Sequence, residues 1–310
     1  MLNNKFVKNI IRTSIFLIIL IILFFRLRDE NFKEYIILFL NYKFVFNTFL
    51  ILSILSVISI LRWKIILQTI SNKNIFFRDL FKPAYYSYLS DQINVLGFFA
   101  SRTVYIPKNI NISTSIFSSL IEKISSFFTK AIFCIPGVLF IYLSIENFNI
   151  KTYLNILIIL SFFCIIILIF IFFNRIASYL RNIYAKYNFY SNFTKSKVSL
   201  LILYSFLIQI VILNLTFYIH IHLNNNLSYT VFYLLASVSF FVSSMPISVS
   251  QWGLREVSFF IVFSSFVEGN ELIITSLIYG FTVLFYFLFC NCTILISDLT
   301  LNLFQFIKKK

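Results

Sequence analysis

Chemistry in this chain concentrates where charge interrupts apolar sequence. Residues 245–256, MPISVSQWGLRE, place Pro246, Gly253 and an Arg255–Glu256 pair between two otherwise apolar stretches. A broken backbone needs partners for its freed N–H and C=O groups, and in an apolar medium only protein or enclosed water supplies them. Arg255 follows Gly253 closely enough to sit in the first turn of a new helix. Free N–H groups, a favourable dipole and a planar guanidinium there suit an anion, and Glu256 beside it suits the empty state. The plainer alternative is that the pair pins a helix end.

Two further segments carry polar groups in patterns. At about 100° per residue, Ser115, Ser118, Ser119, Glu122, Lys123, Ser125, Ser126, Thr129 and Lys130 fall on one side of a helix, and Ile116, Phe117, Leu120, Ile121, Ile124, Phe127 and Phe128 on the other. Either this helix enters a bundle with Glu122 facing the interior, or it lies in a membrane interface with its lysines reaching headgroups. Between 79 and 108 aromatic and polar residues alternate: Tyr85, Tyr86, Ser87, Tyr88, Asp91, Gln92, Asn94, Gly97, Ser101 and Arg102. Ser87, Asp91, Asn94 and Ser101 recur at helical spacing. A re-entrant segment and an amphipathic cytoplasmic loop both fit.

The elements that must hold these residues are membrane helices. Of 310 residues, 60% are hydrophobic and 12% charged, about half the charged share of a soluble domain. Apolar runs at 10–25, 44–61, 117–143, 152–173, 198–221, 227–244, 254–267 and 272–296 predict an all-α, polytopic membrane helix bundle of about eight spans. Two of its segments are broken or re-entrant, at Asp91 to Arg102 and at Pro246 to Glu256. Both breaks begin from the same expected side, which would fit parallel half-repeats of a transporter kind. The seventh run is short enough to be half of a re-entrant hairpin. No extramembrane segment reaches the roughly 50 residues of a small domain, so 1–310 is expected to be a single integral-membrane unit. The first run resembles a signal peptide but lacks a small-residue cleavage site, and is expected to be retained.

The net charge of +15 reads as solvated basic loops rather than a nucleic-acid surface. With both termini inside, the expected cytoplasmic segments hold nineteen Lys and Arg residues and the outside five, the asymmetry of a cytoplasm-facing side. Cys134, Cys164, Cys290 and Cys292 all lie in apolar runs and imply neither disulfides nor metal. Cys290 and Cys292, two residues apart, point to different helix faces. His220 and His222 are expected at a membrane interface. No cofactor is expected.

LRWKIIL around Arg62 and Trp63, the Asn94-to-Arg102 segment with the later Glu122–Lys123, and PISVSQWGLRE followed by TSLIYG at 275–280 resemble the transmembrane, flippase-like domain of lysylphosphatidylglycerol synthases and its stand-alone relatives. The order and spacing match over most of the chain. The sequence departs from that family at residues 97–102, GFFASR, where a Gly-Gly-Asp-containing segment is common, and at Gln251, where a glycine often precedes Trp-Gly. The resemblance implies a bundle with re-entrant segments that handles polar lipids, without the soluble aminoacyl-transfer domain of the full synthases.

An amphiphile crossing a bilayer needs a polar path for its headgroup while its tails stay in lipid. On that reading Arg102 and Arg255 bind a lipid phosphate, Asp91, Asn94, Glu122 and Glu256 line the path, and Pro246 and Gly253 make the break. The expected function is an inner-membrane lipid translocase or lipid-binding transporter for a phospholipid or envelope glycolipid, in a bacterial cell membrane with both termini cytoplasmic. Its expected partners are membrane lipids and an envelope-lipid biosynthetic enzyme, with no nucleic acid. A second class is an intramembrane lipid-linked transferase with Asp91, Glu122 or Glu256 as base. It finds no nucleotide-binding loop or metal cluster in the sequence, so the enzyme reading is the weaker. A third is a non-transporting scaffold or regulator of an envelope enzyme.

Overall fold

The structure is a computed structural model describing residues 38–93, 95–107, 109–144, 194–223, 227–244, 253–264, 266 and 271–308. Among these residues the chain forms helices and no strands. In chain order they are α1 (Tyr42–Ser71), α2 (Phe77–Ile93), α3 (Val95–Val104), α4 (Ile112–Ser144), α5 (Lys195–His222), α6 (Tyr229–Ser243), α7 (Leu254–Phe263) and α8 (Glu271–Lys308). The runs expected at 10–25 and 152–173, together with Asn94 and Pro246, lie outside the described residues.

Among the described residues, four helices are long and apolar enough to cross a bilayer: α1, α4, α5 and the Leu272–Asp298 part of α8. Local signals set their ends. Asn41 caps α1, its side chain accepting from the backbone N–H of Lys43 at 3.1 Å and of Phe44 at 3.4 Å, and Asn72 closes the helix in the left-handed region at φ 53°. Thr194 caps α5 in the same way.

The remaining helices form two hairpins. In the first, α2 and α3 pack together and against α1, α4 and α8. Leu80, Ala84, Ser87, Phe98 and Arg102 are all buried, so this segment is embedded in the bundle, which excludes the amphipathic-loop alternative. Asp91 lies on α2 and Ser101 on α3 rather than on one shared face; Ser101 instead meets Ser90 at 2.7 Å. In the second hairpin α6 packs on α7, tied by Ser258 donating to the Ser239 carbonyl at 3.0 Å and Ser239 donating to the Ser258 carbonyl at 3.3 Å. At ten residues, α7 is about 15 Å long, half of a 30 Å hydrocarbon core. The seventh run is therefore a half-helix and not a full crossing. Gly253 at its start has φ 85°, a backbone conformation that costs any residue with a Cβ.

The alternatives for 115–130 are also resolved. The segment is the first half of the continuous helix α4, and Ser115, Ser118, Ser119, Glu122, Thr129 and Lys130 are buried while Ile116, Phe128, Ile132, Ile135 and Leu139 are exposed. The polar side faces the bundle and the apolar side faces outward, the reverse of a helix lying at an interface.

Because lipid tails are as apolar as the side chains, close packing and interhelical hydrogen bonds hold such helices together. Gly137 shows the first: a Cβ there would meet the Leu234 carbonyl oxygen at 2.2 Å and Val238 at 2.6 Å, so α4 and α6 touch almost backbone to backbone. The second is clearest around α8, where Tyr286 meets Tyr85 at 3.1 Å and donates to Ser53 at 3.1 Å, and Asn291 donates to the Tyr85 carbonyl at 3.1 Å. His220, in the last turn of α5, is fully buried, its ring 4.5 Å from that of Phe232.

Candidate functional site

Five helices build a cluster centred on Glu122 of α4: α1 and α3 reach its carboxylate, and α2 and α5 hold the two arginines. The carboxylate leaves the polar side of α4 and is 2% exposed. Its Oε1 accepts from Arg62 Nη2 at 2.9 Å and from Ser59 at 3.2 Å, and its Oε2 accepts from Arg102 Nη1. Ser59, Arg62 and Trp63 come from one face of α1, spaced by three and four residues. The sequence expectation ended the second span at Leu61, but α1 continues to Ser71, which draws Arg62 out of the predicted loop and into the interior at 5% exposure.

Arg102 is completely buried. Its Nε donates to Ser87 on α2 at 3.1 Å and its Nη1 to Ser119 on α4 at 3.3 Å. The guanidinium carbon lies 4.0 Å from the Trp63 ring centre and 4.1 Å from that of Phe98, favourable cation–π contacts in a desolvated site. Trp63 is held by its indole N–H donating to Ser118 at 2.9 Å. Tyr88 donates to Ser59 at 2.7 Å, and Arg62 reaches Ser205 on α5 at 3.3 Å.

Among the described residues the cluster is unbalanced. Two guanidiniums face one carboxylate, and two of their buried nitrogens, Arg62 Nε and Arg102 Nη2, have no acceptor there. A buried charge ordinarily finds a counter-charge or a hydrogen bond because leaving it unmatched is costly. The excess here is one positive charge with donors to spare, which is what an anion-accepting site presents.

Asp91 stands beside this cluster, accepting from Lys123 at 2.6 Å with both groups partly exposed. Lys123 also sits 4.2 Å over the Phe98 ring. The second pair is separate. Arg255 donates to Glu256 from Nε at 3.1 Å and Nη2 at 2.8 Å, and from Nε to Ser276 on α8 at 3.1 Å. Glu256 Oε2 accepts from the Gly253 backbone N–H at 2.6 Å, so the carboxylate caps α7 while holding the arginine. Tyr279 lies 5.1 Å from the Arg255 guanidinium. Of the expected residues, Arg102 and Glu122 thus share one site with Asp91 at its edge, while Arg255, Glu256 and Gly253 form another. Arg62, Trp63, Ser87 and Tyr88 are site components that the sequence reading named, the first two in the family resemblance and the other two in the aromatic–polar alternation, but did not assign to the site.

Charges enclosed within long apolar helices, carried partly on two short hairpins, define a multi-pass membrane protein with a polar interior. Comparison with protein families agrees: the description "Lysylphosphatidylglycerol synthase TM region" matches residues 10–290. The chain belongs to that family and is a lipid-related membrane protein. No curated protein and no solved structure matched it.

Proposed function

We propose that the protein is a lipid translocase of the bacterial inner membrane, with both termini cytoplasmic, and that the Arg62–Glu122–Arg102 cluster receives the lipid's anionic headgroup. The observation that carries this reading is the charge excess: two buried guanidiniums share one carboxylate and keep two nitrogens without an acceptor among the described residues. Phosphate oxygens would accept from these nitrogens, and charge-assisted bonds of that kind are the strong ones. The exposed apolar sides of α1, α4 and α8, including Leu50, Ile54, Ile132, Leu139, Phe285 and Phe289, suit acyl chains that remain in the bilayer. Asp91 and Lys123 stand at the edge of the path. Arg255, with Glu256 as its counter-ion in the empty state, serves as a second phosphate contact.

Vesicles containing the purified protein and a headgroup-accessible fluorescent phosphatidylglycerol test the reading. Added reductant bleaches only outer-leaflet label, so translocation raises the bleached fraction above that of empty vesicles. Arg102→Gln should return it to the empty-vesicle value. A wild-type protein that binds the lipid without raising that fraction would favour a scaffold or a transferase.

A further inference from the structure

The partners already present at the Arg62–Glu122–Arg102 cluster decide which headgroups it accepts and which it repels. Four hydroxyls touch its charged groups. Each gives away its single proton: Ser59 to Glu122 at 3.2 Å, Ser87 to the Ala84 carbonyl at 2.7 Å, Ser119 to the Ser115 carbonyl at 2.9 Å and Ser205 to the Leu201 carbonyl at 2.9 Å. Each receives a donor in return, Ser59 from Tyr88 and the other three from the arginines. Both oxygens of Glu122 are taken by guanidiniums. The aromatic faces that could attract a cation, those of Trp63 and Phe98, lie 4.0 and 4.1 Å from the Arg102 guanidinium carbon, and Lys123 sits 4.2 Å over the same Phe98 ring. The neighbouring carboxylate of Asp91 holds Lys123. Among the described residues, the carboxylates and rings of this region that could receive an ammonium therefore already hold a cation, while Arg62 Nε and Arg102 Nη2 have no acceptor.

We infer that the cluster selects an acidic headgroup free of amines, a phosphodiester whose remaining groups are hydroxyls such as those of a glycerol or a sugar, and rejects headgroups that carry an ammonium. This rests on the headgroup reading given above and narrows it. The two arginines exceed Glu122 by one positive charge, and one phosphodiester neutralises it. A headgroup that adds an ammonium cancels that gain, sets like charges side by side and finds the nearby carboxylates already paired. Like-charge juxtaposition of this kind is an effective way to exclude a wrong partner. Hydroxyls bring no charge, and their oxygens can themselves accept from the unmatched nitrogens.

The test uses the purified protein in phosphatidylcholine nanodiscs doped with phosphatidylglycerol, with phosphatidylethanolamine, or with the lysyl ester of phosphatidylglycerol, which keeps the phosphate and glycerol and adds amino groups. Glycerophosphoglycerol, the same headgroup without tails, is the control. Tryptophan fluorescence reports binding, because the Trp63 ring packs against Arg102. Phosphatidylglycerol should bind at least about tenfold tighter than either amine-bearing lipid, a difference the size of one charge-assisted contact. Arg62→Gln leaves one arginine against one carboxylate, so phosphatidylglycerol affinity should fall about tenfold while that for phosphatidylethanolamine changes by less than about twofold, the excess charge that separates the two being gone. Arg62→Lys, which keeps the charge, should keep the preference. Equal or tighter wild-type binding of either amine-bearing lipid overturns the inference, as does an Arg62→Gln variant that retains the full preference. Glycerophosphoglycerol binding as tightly as phosphatidylglycerol overturns the lipid as the ligand's source. The wild-type comparison decides the matter even if Arg62→Gln does not fold. Translocation of all three lipids at one rate removes only this inference, while a clear preference without translocation removes only the transport reading.

Discussion

Replacing Glu122 by glutamine keeps the side-chain shape and removes the one charge that two arginines share. Breaking a buried ion pair ordinarily costs roughly 3–5 kcal/mol, because the abandoned charge stays buried. Part of that loss is cushioned here. Arg102 keeps Ser87 at 3.1 Å, Ser119 at 3.3 Å and the faces of Trp63 and Phe98, and Arg62 keeps Ser205 at 3.3 Å. The expected destabilisation is therefore at the lower end, about 3 kcal/mol. Equilibrium unfolding in mixed micelles, followed by tryptophan fluorescence, measures it. Removing the surplus cation should repair some of the damage, so Glu122→Gln combined with Arg62→Met should be more stable than Glu122→Gln alone, a non-additivity expected only of groups in one network. If Glu122→Gln lies within about 0.5 kcal/mol of the wild type, the range of an ordinary surface change, the carboxylate does not hold this cluster.

Arg255→Ala and Glu256→Ala separate two roles: if Arg255 contacts phosphate, Arg255→Ala and Arg255→Lys lose lipid transfer while folded protein still accumulates, and if both alanine variants fail to accumulate, the pair is a structural clasp. Gly137→Ala should destabilise by about 2 kcal/mol or more in the same unfolding assay, because the new methyl meets the Leu234 backbone rather than a side chain that could turn away. Lys82→Ala should cost less than about 1 kcal/mol, since its pairing with Asp298 is exposed at both ends. Cysteines at positions 191 and 225, in a background without native cysteines, test orientation: an impermeant thiol reagent added to intact cells should label only the second, and labelling of the first alone would invert the topology.

The polar side of α4 was readable because a 3.6-residue period does not depend on what the helix packs against. Gly253 and Glu256 were readable as a helix start for a similar local reason, the backbone break being written into the sequence. Arg62 was not. An arginine directly after an apolar run reads as a loop charge, and only the continuation of α1 to Ser71 brings it inside. The same error touches orientation: Arg62, Arg102 and Arg255 were counted among loop charges, yet all three are buried. Removing them leaves sixteen cytoplasmic basic residues against five, so the bias that suggests internal termini survives. The length of α7 was ambiguous because the apolar residues after the break do not reveal where the helix stops. The meeting of Glu122 with both Arg62 and Arg102, sixty and twenty residues away in sequence, is tertiary, and no local pattern encodes it.

The most direct measurement of the central claim is the initial rate of fluorescent phosphatidylglycerol transfer in vesicles containing equal amounts of folded wild type, Arg62→Gln and Arg102→Gln. A wild-type rate well above that of empty vesicles, falling at least about tenfold in each variant as one charge-assisted headgroup contact is lost, is the predicted result. Variants that are folded and transfer lipid at the wild-type rate would contradict it.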